Sequence, residues 1–417
     1  MIRFLAPYGH VIAPRGALSF TVAGFLARLP VSMLGVSNVV MIAGVRDSYA
    51  LAGAVSATGI AVTALTAPLL GRLVDRHGQA RVAVPAVVVF AAGAAAMLLC
   101  LRLGAPDWAL FLACAGSSGV PSVGAMTRAR WAELHRDSAE LQHSANSLEQ
   151  VLDEICFMLG PVLALLLCTL VAPEAGLFTA AVLLTTGTLL FAAQRTTEPA
   201  VRPRPAGRTT AALRIPGLAV VLTTFLATGA LFGSMEVATV ATVDALGGGP
   251  ASSAVLALQA AGSCVAGLVF GALPLKGAPA GRFTLGVAAM ALAVLPLTAA
   301  DSLPALSVLL FLAGMATAPT MVTGMTLVQA LVPAGRLNEG MTTVFTGLLI
   351  GISAGAAAAG RTVEHAGVDA AYWPPVAAGA LAFLMALAGS PRLRPAPAWH
   401  RPGSRCAGSA GLRRGRL

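Results

Sequence analysis

Apolar runs of roughly 20 residues recur from one end of this chain to the other, and each is long enough to cross a hydrocarbon core of about 30 Å as a helix. In lipid every backbone polar group needs an internal partner, so only helices or closed barrels can span it. Barrel strands alternate polar with apolar residues. These runs are apolar all round, and the chain reads as an all-α polytopic membrane protein. Composition agrees: 57% of the 417 residues are hydrophobic and 11% charged, against about 25% charged in a soluble domain. The sequence predicts twelve spans, near 16–42, 49–70, 82–102, 108–128, 148–171, 175–194, 216–243, 252–273, 283–300, 304–326, 340–360 and 371–389.

The first run follows Arg3 and Arg15 without a small-residue cleavage site behind it, so it reads as a retained helix. Cys100, Cys114, Cys156, Cys168, Cys264 and Cys406 are scattered. They predict small hydrophobic fillers, with no disulfide framework and no metal site. The net charge of +10 could suggest nucleic acid, but its placement points to the membrane. Alternate connections hold nearly all the basic residues: Arg3, Arg15, Arg72, Arg76, Arg81, Arg128, Arg130, Arg136, the segment 195–214, Lys276, Arg282, Arg336 and the tail. The other connections hold Arg46, Arg102 and Arg361, with Asp107, Glu174, Asp244, Asp301 and Asp369. That bias predicts both termini in the cytoplasm of a multi-pass plasma-membrane protein, with lipids and not nucleic acid as partners.

The proline- and arginine-rich stretch 195–214 divides the chain into halves at 1–194 and 215–390 and predicts an extended, solvated linker. Residues 391–417, with seven arginines, predict a disordered basic tail. The halves echo one another at a spacing of about 200 residues, as an internal repeat would. Phe25-Leu26-Ala27 recurs as Phe225-Leu226-Ala227, Gly71 as Gly271, and Pro121 with Ala125-Met126-Thr127 as Pro319 with Gly324-Met325-Thr326.

Between the second and third runs lies Gly71–Arg81, GRLVDRHGQAR. Gly71, Asp75, Arg76, Gly78 and Arg81 meet the pattern G-x-x-x-D-[RK]-x-G-x-x-[RK]. With two like halves of six spans, the chain resembles the major facilitator superfamily of transporters. The second copy has lost the acid, with Leu275 in its place. The resemblance implies two pseudo-symmetric six-helix bundles around a central site. It also implies a cytoplasmic latch in which Asp75 meets the start of the eleventh helix, near Asn338-Glu339-Gly340. Glycines at 71 and 78 suit close helix approach and a tight turn. An anion at a helix N-terminus is favoured by its free N–H groups.

Ionisable groups inside spans cost about 2.5–3.5 kcal/mol each and so mark candidate function. Arg28, beside Pro30 in the first span, and Glu236 in the seventh lie in helices that the resemblance places around the cavity. They are the candidate substrate or proton pathway, and they could pair with one another. Arg128, Arg130, Asp153 and Glu154 predict a cytoplasmic charge cluster with Arg76. Adjacent positions 153 and 154 point about 100° apart. Glu149 reads equally as an ordinary helix N-terminal acid. Gly160-Pro161 reads as a kink, and His135 and His143 as solvated loop residues.

No phosphate-binding G-x-x-x-x-G-K-[ST] loop and no intramembrane nucleophile–base set occurs, against both an ATP-driven pump and an enzyme. The expected protein is a cofactor-free, monomeric secondary transporter of a small-molecule substrate, coupled to protons through Glu236, Asp153 or Glu154. Export of a drug or metabolite is favoured over uptake of a nutrient; a non-transporting sensor is the remaining alternative.

Overall fold

The computed structural model describes residues 2–201, 215–248, 251–274 and 277–393. Lys276, most of the expected linker and nearly all of the basic tail lie outside the described residues. Fourteen α-helices follow in order: α1 Ile2–Ile12, α2 Ala17–Arg46, α3 Tyr49–His77, α4 Gln79–Arg102, α5 Asp107–Gly116, α6 Val123–Leu134 and α7 Ala139–Leu170. After them come α8 Ala175–Ala193, α9 Pro216–Ala245, α10 Ser252–Ala272, α11 Pro279–Val294, α12 Leu303–Leu331, α13 Leu337–Ala366 and α14 Trp373–Gly389. Eleven helices among the described residues are long and apolar enough to cross a bilayer.

The remaining expected span, 108–128, is broken. α5 stops at Gly116, α6 starts at Val123, and Gly119 and Pro121 lie between. Proline offers no N–H and disfavours a helical residue before it. The freed groups find partners locally: Ser117 and Ser118 donate to Cys114 O (3.0 and 2.6 Å), and Ser122 Oγ caps Ala125 N at 3.3 Å. Across the gap, Thr63 of α3 donates to Ser118 O at 3.2 Å. Irregular backbone at membrane depth survives only where protein buries it or a cavity receives it. The other intrahelical prolines, Pro30 and Pro161 among them, leave α2 and α7 unbroken. Gly160 marks a close crossing, since a Cβ there would collide with Ser32 of α2.

Helices α2–α8 form one bundle and α9–α14 the other. α2 packs on α7 and α8, and α4 on α8; in the second bundle α9 packs on α13 and α14, and α10 and α11 on α12. The tightest seam is α9–α13, where backbones touch. A Cβ on Gly229 or Gly233 would strike the carbonyls of Leu348 and Ile352, and one on Gly351 or Gly355 those of Leu226 and Ala230. Without a hydrophobic drive between helices in lipid, such close approach supplies the packing. Gly233→Val is expected to cost about 3 kcal/mol by overpacking. Thermal unfolding of the purified variant in detergent checks it.

The bundles meet along α3–α13, α7–α10 and α7–α12. Gly71 and Gly271, the repeat pair, sit on two of these seams. A Cβ at Gly71 would lie 3.0 Å from Asn338 O and Glu339 Cα of α13, and one at Gly271 would strike Ser147 of α7 and the Tyr8 hydroxyl.

α1 was not foreseen: it lies against α7 and α10. The start of the expected linker is docked as well, contrary to a solvated connector. Glu198 Oε1 accepts from Ala80 N at 3.0 Å, and Thr197 Oγ1 from Arg130 Nη1 at 2.8 Å. An acid at the start of α4 meets unsatisfied N–H groups and the helix dipole.

Candidate functional site: a cavity floored by buried charge

Four ionisable side chains converge where α2, α6 and α7 meet. Arg28 Nη1 lies 2.7 Å from Asp153 Oδ1 and 2.7 Å from Glu149 Oε2, and Arg128 Nη2 lies 2.7 Å from Asp153 Oδ2. Trp131 Nε1 donates to Glu149 Oε1 at 2.7 Å. Glu149 is fully buried, Arg128 1% exposed and Arg28 8% exposed. Two guanidiniums and two carboxylates thus balance in formal charge, the condition under which ions survive out of water. Spacing explains the set: Glu149 and Asp153 are four residues apart and share one face of α7. From the second bundle, the Phe345 ring centroid of α13 lies 5.3 Å from the Arg128 guanidinium, within cation–π range.

The expected cluster of Arg128, Arg130, Asp153 and Glu154 is therefore split. Arg128 and Asp153 join Arg28 and Glu149. Arg130 turns to the other side of α6, where it donates to Gln79 Oε1 (2.8 Å) and to the carbonyls of Phe191 and Gln194 at the end of α8 (3.1 and 3.0 Å). Its guanidinium lies 3.8 Å from the Phe191 ring centroid. Glu154, one step round α7, faces α10 and accepts from Ser263 (2.8 Å) and Gln150 (3.0 Å). Arg76 is exposed and stands outside the network. Arg28 and Glu236 are not paired: Glu236 is exposed on α9 and does not line the cavity. Its charge pattern along the sequence carried no information about helix rotation, which separates these residues.

Above the charge cluster lies a cavity of about 480 Å³, within the range of small-molecule sites. Arg28, Arg128 and Asp153 form its charged wall. The broken segment 117–122 contributes three serines, and α3 and α13 contribute Ile60, Phe345, Leu349 and Ile350. Discontinuous helices at a central site are a recurrent transporter feature.

At the end of the molecule carrying Arg76, Arg81 and Arg336, the two bundles are joined. Asp75 Oδ1 accepts from Asn338 N (3.1 Å) and Asn338 Nδ2 (2.8 Å), and Oδ2 from Glu339 N (2.8 Å). The two backbone donors are N–H groups of the first turn of α13, which have no partner within their own helix. Arg72 Nε adds an ion pair to Glu339 at 2.6 Å, a partner the motif did not reveal. Gly78 takes φ +95° between α3 and α4, a conformation open to glycine, and Arg81 is exposed.

Two further seams close this end without any acid. Asn146 and Gln329 exchange amide hydrogen bonds of 2.8 and 3.1 Å between α7 and α12. His143 and Ser144 of α7 reach Phe270 O and Gly271 O at the end of α10, both at 2.7 Å, where the second motif copy lacks its carboxylate. Tyr8 of α1 donates to Leu268 O at 2.7 Å, and burial pushes its hydroxyl up to about 12.

The two histidines are therefore buried, in place of the solvated pair expected. His135 stacks on Trp131 with centroids 5.6 Å apart and bonds Val11 O at 3.2 Å. Burial pushes its pKa below the usual histidine value, against the opposing pull of that bond. A base held neutral in the fold is protonated at lower pH than when free. Its contribution to docking α1 is thus full above about pH 6.5 and declines as pH falls below that. Amide exchange in 2–12, corrected for its intrinsic pH dependence, is expected to speed up on acidification, and His135→Gln to lose that dependence.

The match to known proteins fits this geometry. Residues 20–300 match the model of the Major Facilitator Superfamily. Curated protein sequences contain no significant match. A bacterial homologue of the iron transporter ferroportin, in its outward-facing state, superposes with TM-score 0.69 at 15% identity, over 91% of this chain and 100% of that one. The E. coli fucose:proton symporter gives 0.66 at 14%, over 89% and 98%. The human organic anion transporter MFSD10 gives 0.64 at 16%, over 89% and 100%. At such identities the likeness is one of fold. The chain belongs to the major facilitator superfamily.

Proposed function

We propose that this transporter moves a small solute by alternating access, with proton coupling, and that the structure is its outward-facing state. The observation carrying this reading is the cavity of about 480 Å³ between the bundles, held shut at the basic end by Asp75 on the first turn of α13. The positive-inside bias makes the basic end cytoplasmic, with both termini on that side of the cell membrane. One similar structure is itself described as outward-facing. In this reading Asp75 and Arg72 are the latch, and they part when the cavity opens inward.

Of the three carboxyls expected to carry protons, Glu154 is the best placed. It accepts from two neutral donors, Gln150 of its own helix and Ser263 of α10 across the seam. Asp153 spends both oxygens on guanidiniums. In this reading Glu154 gains access to water when α7 parts from α10, as a coupling group must. Export is the proposed direction.

The test is reconstitution in liposomes with an internal pH-sensitive dye, a solute panel and an imposed pH gradient. Solute moving against the direction of proton flow supports antiport and export; movement with the protons replaces export by uptake. Glu154→Gln is expected to abolish gradient-driven accumulation by tenfold or more while leaving solute exchange intact. Driven transport that survives unchanged removes Glu154 from the coupling step.

A further inference from the structure

Two seams at the basic end are built on opposite chemistry. Across α3–α13 an acid of the first bundle, Asp75, meets N–H groups at the start of a second-bundle helix. Across α7–α10 donors of the first bundle meet carbonyls at the end of a second-bundle helix. The last four carbonyls of a helix lack N–H partners four residues on. His143 and Ser144 of α7 reach two of them, Phe270 O and Gly271 O of α10, both at 2.7 Å. The start of α7 needs no acid, because Ser138 Oγ already accepts from Leu141 N at 3.2 Å. In the second motif copy Leu275 stands in place of the carboxylate.

A third donor on this seam comes from the short first helix. Tyr8 of α1 donates to Leu268 O at 2.7 Å and approaches Gly267 O at 3.4 Å. Gly271, the repeat partner of Gly71, faces that hydroxyl, and a Cβ there would collide with it. Further along α1, Val11 is fully buried among first-bundle side chains that include Phe20 and Trp131. His135 Nε2 bonds its carbonyl at 3.2 Å. Positions 8 and 11 share one face of a helix, so a single face of α1 is fixed in one bundle and hydrogen-bonded to the other. Ala6, Gly9, His10 and Ile12 are exposed. An eleven-residue helix is marginal on its own in water, so α1 is ordered by what it docks on.

We propose that α1 is a clasp of the cytoplasmic gate. Anchored in the first bundle by Val11, it holds α10 through the Tyr8 hydroxyl. That hydroxyl takes the place of the carboxylate missing from the second motif copy, and it has to leave Leu268 before the basic end can open. The clasp rests on the alternating-access reading, in which the two bundles part at this end.

The test uses the full-length protein in nanodiscs with spin labels at Ala139, at the start of α7, and Gly281, in the first turn of α11 of the second bundle, both exposed. Tyr8→Phe removes the hydroxyl and keeps the ring. It is expected to fold, as checked by monodisperse elution, and to raise the ratio of long to short distances about fivefold, the effect of one net hydrogen bond on a two-state ratio. A chain lacking residues 2–12 is expected to raise that ratio at least as far. Asp75→Ala, which frees the other seam, is the reference. Distances unchanged in both α1 variants but longer in Asp75→Ala overturn the clasp and leave alternating access standing. Lengthening in the shortened chain without lengthening in Tyr8→Phe overturns the assignment to Tyr8. No lengthening in any of the three overturns the clasp and the alternating-access reading together.

Discussion

Arg28→Met is expected to be the most damaging single substitution in the membrane-embedded part of the molecule. It removes one cation from a balanced set of two guanidiniums and two carboxylates. Glu149 is then left at zero exposure with only the Trp131 N–H, while Asp153 keeps Arg128. Breaking a buried pair by deleting one partner costs about 3–5 kcal/mol, chiefly because the surviving charge has no compensation. Replacing both partners by apolar groups of similar volume is often close to neutral. The double variant Arg28→Met/Glu149→Leu, which leaves Arg128 and Asp153 as a matched pair, is therefore expected to recover more than half of the lost stability. A double-mutant cycle on thermal unfolding in detergent measures this directly. A double variant as unstable as the single one would locate the cost in lost packing between α2 and α7 instead. If the cavity is the transport site, transport is expected to fall in both, since its wall loses Arg28 either way.

Asp75→Ala is expected to shift the balance of conformations rather than to unfold the protein. The carboxylate accepts three hydrogen bonds from the first turn of α13, and a hydrogen bond to a charged group contributes about 1.5–3 kcal/mol. The three share one side chain and are not additive, so the net effect on the closed basic end is about 3 kcal/mol. That is on the order of a hundredfold in the ratio of states. Spin labels at His77 and Ala334, both exposed at this end, report the separation of the bundles. The distance distribution is expected to lengthen in Asp75→Ala. It should also lengthen in Gly71→Val, whose Cβ would press on Asn338 O and Glu339 Cα. An unchanged distribution alongside slowed turnover would remove the latch and leave Asp75 with another role.

Local rules go far with this chain. Apolar length defines the spans, basic residues divide the connections into two kinds, and G-x-x-x-D-R-x-G-x-x-R names the superfamily. The contact between Asp75 and the start of α13 is anticipated by the resemblance to the superfamily, since residue types alone show an acid ending one helix and not which helix start it meets. Pro121 and Gly119 were visible too, yet the break between α5 and α6 was not foreseen. Apolar composition runs straight through it, and local partners such as Ser122 and Thr63 satisfy the interruption.

The charged residues mark the limit. Asp153 and Glu154 are neighbours in the chain, but one floors the cavity and the other bridges α7 to α10. Arg128 and Arg130 separate in the same way, and Glu236 turns out exposed and apart from Arg28. His135 and His143 look like loop residues and are buried clasps.

What the amino-acid sequence determines alone is the class of solvent, the places of the long apolar spans and the superfamily, all of which are properties of position along the chain. Which charges meet was decided by tertiary structure. A span apolar on every side carries no periodic signal of its rotation or its neighbours, so the partners of Arg28 follow only from how α2, α6 and α7 are turned against one another.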